Sequence, residues 1–86
     1  MENIRGSLAK SKAGHDKDEV YVIIDADKEY VYLADGRLKT LNHLKKKNRK
    51  HIQLIMNKDT EFVSKVNMGD IMDEEIKRCI KLYNRR

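Results

Sequence analysis

Arg37, Lys39, Lys45, Lys46, Lys47, Arg49 and Lys50 all fall between Arg37 and His51, and no carboxylate lies among them. Seven like charges in fifteen residues repel one another, and nothing local in the sequence neutralises them. A phosphate backbone does neutralise such a cluster, and the counterions it releases supply binding free energy. The bland alternative is a solvated lysine-rich loop with no partner. A second, smaller group precedes the cluster: Lys10, Lys12, His15 and Lys17 flank Gly14.

Other residues capable of chemistry lack the company that chemistry needs. His15, His43 and His51 are far apart, and no Cys-x-x-Cys or His-x-x-x-His spacing occurs. A metal site would have to recruit Cys79 from a distant segment. Cys79 reads more simply as a small core residue. Asp16, Asp18, Asp25, Asp27 and Asp35 fall at expected turns, where aspartate bonds to nearby backbone. Gly36 is followed by Arg37-Leu38-Lys39, which lacks the spacing of a nucleotide-binding glycine loop. The expectation is therefore no catalytic residues, no metal, no cofactor and no small-molecule substrate: not an enzyme. Tyr21, Tyr30 and Tyr32 could stack on unpaired bases. For Tyr21 and Tyr32 the plainer reading, covering the fold or filling its gaps, is favoured.

The chain that must position these residues has 86 residues, enough for one thin core. It is 40% apolar and 38% charged, with no proline and no tryptophan. The net charge is +5, a balance that suits a polyanionic partner. Residues 1–58 carry 13 basic and 8 acidic side chains, and residues 59–86 carry 6 of each, so the whole excess belongs to the first part. One cysteine fits a reducing compartment. No apolar run approaches the roughly 20 residues of a membrane span, and the N-terminus lacks a signal-peptide core. A cytoplasmic location without a membrane partner is expected.

Alternation predicts strands at Ile4–Ser11, Glu19–Asp25, Tyr30–Ala34, Arg37–Leu41 and His51–Met56. Gly14 calls for a positive φ or a close backbone approach. Asp35-Gly36 is a two-residue hairpin signal in which both residues need positive φ. Asn42–Lys50 reads as a basic loop. Five short strands with tight turns predict a sheet curled into a small barrel, which hides its edges. Asn57–Asn67 shows no clear period, so Phe62, Val63 and Val66 could pack as a short strand or an ordered loop. Asp73–Leu82 predicts a helix, capped by Asp70 or Asp73, with Ile76, Cys79, Ile80 and Tyr83 as its apolar stripe.

The stretch Gly6-Ser7-Leu8-Ala9-Lys10-Ser11-Lys12-Ala13-Gly14-His15-Asp16-Lys17, running into Val20-Tyr21-Val22-Ile23-Ile24-Asp25, resembles the KOW motif. Tyr30-Val31-Tyr32-Leu33-Ala34-Asp35-Gly36-Arg37, with Lys45-Lys46-Lys47-Asn48, resembles the KOW-containing large-subunit ribosomal proteins of archaea and eukaryotes and their small bacterial relatives. The likeness covers Ile4 to about Ile55. It implies an SH3-like barrel that binds RNA. Two positions depart from the pattern: relatives often carry arginine at His15 and glycine at Asp18. By position, the resemblance implies RNA contacts at Lys10, Lys12, Gly14, His15 and Lys17, and at Arg37, Lys39, Lys45, Lys46, Lys47, Arg49 and Lys50.

The combined expectation is a mostly β protein: a five-stranded SH3-like barrel (KOW domain) at residues 1–58, then a linker and C-terminal helix packed on it at 59–86. Its expected partner is RNA, notably ribosomal RNA or the ribosome, in translation or ribosome assembly. The alternative is an SH3-like adaptor for protein surfaces or a transcription-associated KOW module.

Overall fold

The structure is a computed structural model and describes residues 3–85. Met1, Glu2 and Arg86, which the expected boundaries include, lie outside the described residues. Five strands form: β1 (Leu8–Ser11), β2 (Val20–Ala26), β3 (Tyr30–Ala34), β4 (Lys45–Asn48) and β5 (Ile52–Ile55). A 3-10 turn (Arg49–His51) joins β4 to β5, and two helices follow, α1 (Thr60–Met68) and α2 (Asp73–Asn84).

The strands make one antiparallel sheet in the order β4-β3-β2-β1-β5. The expected barrel is not formed: β4 and β5 end the sheet and do not pair with each other. Nor is the protein clearly mostly β, because helices of 9 and 12 residues hold nearly as much of the chain as the five strands. The sheet does curl. Lys47 on edge strand β4 reaches the Ala13 carbonyl, beyond β1, at 2.9 Å.

Each face of the sheet has its own core. Leu8, Val20, Val22 and Ala34 meet Phe62 and Val66 of α1, Ile71, and Ile76 of α2. On the other face Ala9, Tyr21, Ile23, Val31 and Leu33 gather with Ile4 and Ile52. β2 supplies both faces by alternation, which explains why it reads apolar at every position from Val20 to Ile24.

Several local expectations fail for identifiable reasons. β1 begins at Leu8, because Gly6 lies at φ +89°, where a Cβ would collide with the backbone of Val63 in α1. Arg37–Leu41 is not a strand. Asp35 takes backbone N–H bonds from Arg37 (2.8 Å) and Lys39 (2.9 Å), which winds the chain into a loop. Only Gly36 of the Asp35-Gly36 pair has positive φ, and a Cβ there would collide with the backbone of Asp73. The supposed basic loop contains β4, whose Lys45, Lys46 and Lys47 pair with Leu33, Tyr32 and Val31. Lysine suits an exposed sheet edge, and its aliphatic stem packs well on a neighbour.

The aperiodic stretch after β5 is helix α1. It buries only Phe62 and Val66, so its stripe is too narrow to read. Its ends are well specified: the Asp59 carboxylate caps the Phe62 N–H at 3.1 Å, and Gly69 closes it at φ +71°. In α2 neither Asp70 nor Asp73 is the cap. The Met72 N–H donates to Glu75 at 3.2 Å, and Asp73 instead accepts from the Leu41 N–H at 2.9 Å. That bond, the Gly36 contact and the Lys65–Glu75 ion pair at 2.7 Å fasten the helices to the sheet and to each other.

Candidate nucleic-acid interface

The loop after β1 and the segment β4 through the 3-10 turn are far apart in sequence but meet in space. The Lys12 N–H donates to the His51 carbonyl at 2.8 Å, extending the β1–β5 pairing by one residue. Between the two segments lies Asp16, whose carboxylate is 10% exposed. One oxygen accepts from Lys47 at 2.8 Å and from the Ser11 hydroxyl at 2.8 Å. The other pairs with Lys45 at 2.9 Å and accepts from the Tyr21 hydroxyl at 3.2 Å. Burial alone would raise the Asp16 carboxyl. The hydrogen bonds from Lys47, Lys45 and Ser11 overcome that and hold it well below the ordinary carboxylate range. Burial, with the Asp16 charge beside it, pushes the Tyr21 hydroxyl far up.

This arrangement corrects the picture of seven uncompensated cations. Lys45 and Lys47 are tied to Asp16, and Lys46 points to the opposite face of β4. Strand alternation forces the split, because neighbouring side chains leave a strand on opposite sides. The Lys46 ammonium lies 4.2 Å from the centre of the Tyr30 ring, a cation–π contact. Tyr32 lies on the same face, half-exposed, and its hydroxyl donates to Asp27 at 2.8 Å. Asp27 also accepts the N–H groups of Tyr30 (2.7 Å) and Glu29 (2.9 Å). Those backbone bonds, Tyr30 first, lower its pKa. Tyr21 is a core residue, as the plainer reading held.

The remaining candidates divide into two places. Lys10 is half-buried on β1, opposite Val20 and Gln53. Lys12, His15 and Lys17 are exposed on the loop around Gly14, and Gly14 has φ +90°. Arg49 and Lys50 lie on the 3-10 turn beside them, bound in place through Arg49 N–H to Glu29 carbonyl at 2.9 Å. None of these six side chains has a carboxylate partner among the described residues. The Arg49 Nε is buried and donates to nothing among them. Arg37 and Lys39 belong elsewhere, on the Asp35–Leu44 loop held against the start of α2.

Asp18 has φ +74° and is the one non-glycine residue with positive φ among the described residues. Sequence reasoning placed Asp16 at a turn but missed its role, and it missed His51. Both roles rest on long-range contacts: the pairing of β1 with β5 places Lys12 beside His51, and Lys45 and Lys47 of β4 reach Asp16. Cys79 is half-buried against the helix-side core, 3.8 Å from the Asn57 amide, and burial raises its thiol pKa. No group of three histidine, cysteine or carboxylate side chains suited to a metal ion occurs among the described residues. No helix of the described residues is long and apolar enough to cross a membrane.

Comparison of the sequence with models of protein families and with individually curated proteins found no match.

Proposed function

We propose that this chain binds structured RNA, notably ribosomal RNA, through Lys10, Lys12, His15, Lys17, Arg49 and Lys50. The observation that carries the reading is the fastening of two basic segments into one frame by Asp16 and by the Lys12–His51 bond. Asp16 consumes two cations to build that frame, and the cations around it remain available. A rigid frame lets point charges meet phosphates without first losing much conformational freedom. Lysines then act as compact charges, and the Arg49 guanidinium forks onto a phosphate or stacks on a base. Lys45 and Lys47 act as supports in this reading. Gly14 keeps the loop tip small, and Arg37, Lys39 and Lys46 form outlying contacts. The likeness of residues 4–55 to KOW proteins of the ribosome supports the same reading.

Replacing Lys12, Arg49 and Lys50 together by alanine tests it. Contact with four to six phosphates makes wild-type affinity for a structured RNA fall about a hundredfold or more between 50 and 200 mM salt. The triple variant binds more weakly and with a salt slope shallower by roughly two to three. Unchanged affinity and slope refute the proposal. Partners that survive ribonuclease in a pull-down would favour the protein-adaptor alternative.

A further inference from the structure

The two strands that end the sheet are protected very differently. β4 carries Lys45, Lys46 and Lys47, the kind of charge that keeps a sheet edge from pairing with another chain. β5 reads Ile52-Gln53-Leu54-Ile55 and continues into Met56, with no charge. Its pairing with β1 runs without a bulge.

The hydrogen-bond pattern shows which backbone groups of β5 are open. His51 bonds to Lys12 of the β1 side, so by antiparallel alternation Gln53 and Ile55 also face β1. Ile52, Leu54 and Met56 therefore turn their N–H and carbonyl groups outward. The Ile52 N–H closes the 3-10 turn on the Arg49 carbonyl. The outward groups of Leu54 and Met56 have no hydrogen-bond partner among the described residues. These two residues are 40% and 58% exposed.

We infer that β5 pairs with β5 of a second copy of this chain, antiparallel about a two-fold axis through Leu54. The axis makes Leu54 donate to and accept from its own counterpart, and the Met56 N–H of each copy meets the Ile52 carbonyl of the other. Ile52, Leu54 and Met56 share one side of the strand, so the two copies form a single apolar stripe of six side chains. Charge permits this partner: in a chain of net charge +5, two copies approach along residues 52–56 without facing like charges, and only beyond the strand does the register set Lys50 of each copy opposite Lys58 of the other. Pairing β4 with its own copy would set three lysines against three. The dimer also places the two 3-10 turns at opposite ends of the paired strands, with His51 and its counterpart about 20 Å apart at strand spacing. That arrangement offers a polyanion two basic patches in place of one.

The test is sedimentation equilibrium of the ribonuclease-treated full chain, with Leu54→Lys as the variant. The expected result is a mass of twice 10.1 kDa for the wild type and a single chain mass for Leu54→Lys. Circular dichroism melting shows whether the variant is folded. A second measurement does not depend on that variant. In a Cys79→Ser background, Leu54→Cys should form an interchain disulfide on mild oxidation, because the central pair brings Cα atoms to about 5.5 Å. Gln53→Cys, off the axis and on the other face, should not. A single chain mass at the highest soluble concentration overturns the inference. So does a dimer that ribonuclease abolishes, or equal cross-linking at both positions.

Discussion

The two faces of the sheet are closed by different physics. One is covered by α1 and α2, with Phe62, Val66, Ile71 and Ile76 packed on Leu8, Val22 and Ala34. The other is closed by the sheet's own curl, and at its end by a charged clasp of Asp16 with Lys45 and Lys47. Burial of apolar surface is non-directional and insensitive to pH. A clasp is directional and fixes two named segments in register, at the expense of desolvating three charges. Both faces bury an apolar core, and the clasp adds geometry for the cations beside it.

The largest expected effect lies on the helix face. Ile76 is fully buried. Ile76→Ala should destabilise the chain by about 3–4 kcal/mol in denaturant titration, the usual range for a large buried aliphatic residue. A loss under 1 kcal/mol would mean that α2 contributes little to the core.

Asp16→Asn should come next, at about 2–3 kcal/mol, since it leaves Lys45 and Lys47 facing a neutral amide in a mostly buried site. It should also alter the pH response. The folded pKa of Asp16 is depressed below its ordinary value of 3.8, so its contribution is fully present well above that value and is lost as pH falls from about 5 downward. Wild type should therefore lose stability more steeply with acid than Asp16→Asn. Parallel pH profiles of melting temperature would contradict the clasp.

Asp18→Gly should be the smallest effect and of opposite sign. Relief of φ +74° should stabilise the chain by about 0.5–1 kcal/mol, read from the denaturant midpoint. Destabilisation would show that the Asp18 side chain holds the loop.

Much of this comparison was legible in the sequence. β2, β3 and the α2 stripe follow from periodicities that tertiary packing did not override. β4 was hidden because three consecutive lysines look solvated, although an edge strand needs only one packed stem on each side. α1 was hidden because it buries two residues, and its clearest marks are Asp59 and Gly69 at its ends. Among site residues, the two basic segments were visible as charge. Their meeting was not, because it depends on β5 crossing back to β1, a long-range pairing that leaves no local pattern. Asp16 illustrates the same limit. Its neighbours in sequence explain a turn, and only its neighbours in space explain a clasp.

The claim that position, not bulk charge, carries binding is tested most directly by two variants of equal net charge. One replaces Lys12, Arg49 and Lys50 by alanine; the other replaces Lys58, Arg78 and Lys81, which are exposed on the helix side. Affinity for one structured RNA is then measured across a salt series. The account predicts a shallower slope and weaker binding for the first set and nearly wild-type behaviour for the second. Equal losses in both would contradict it.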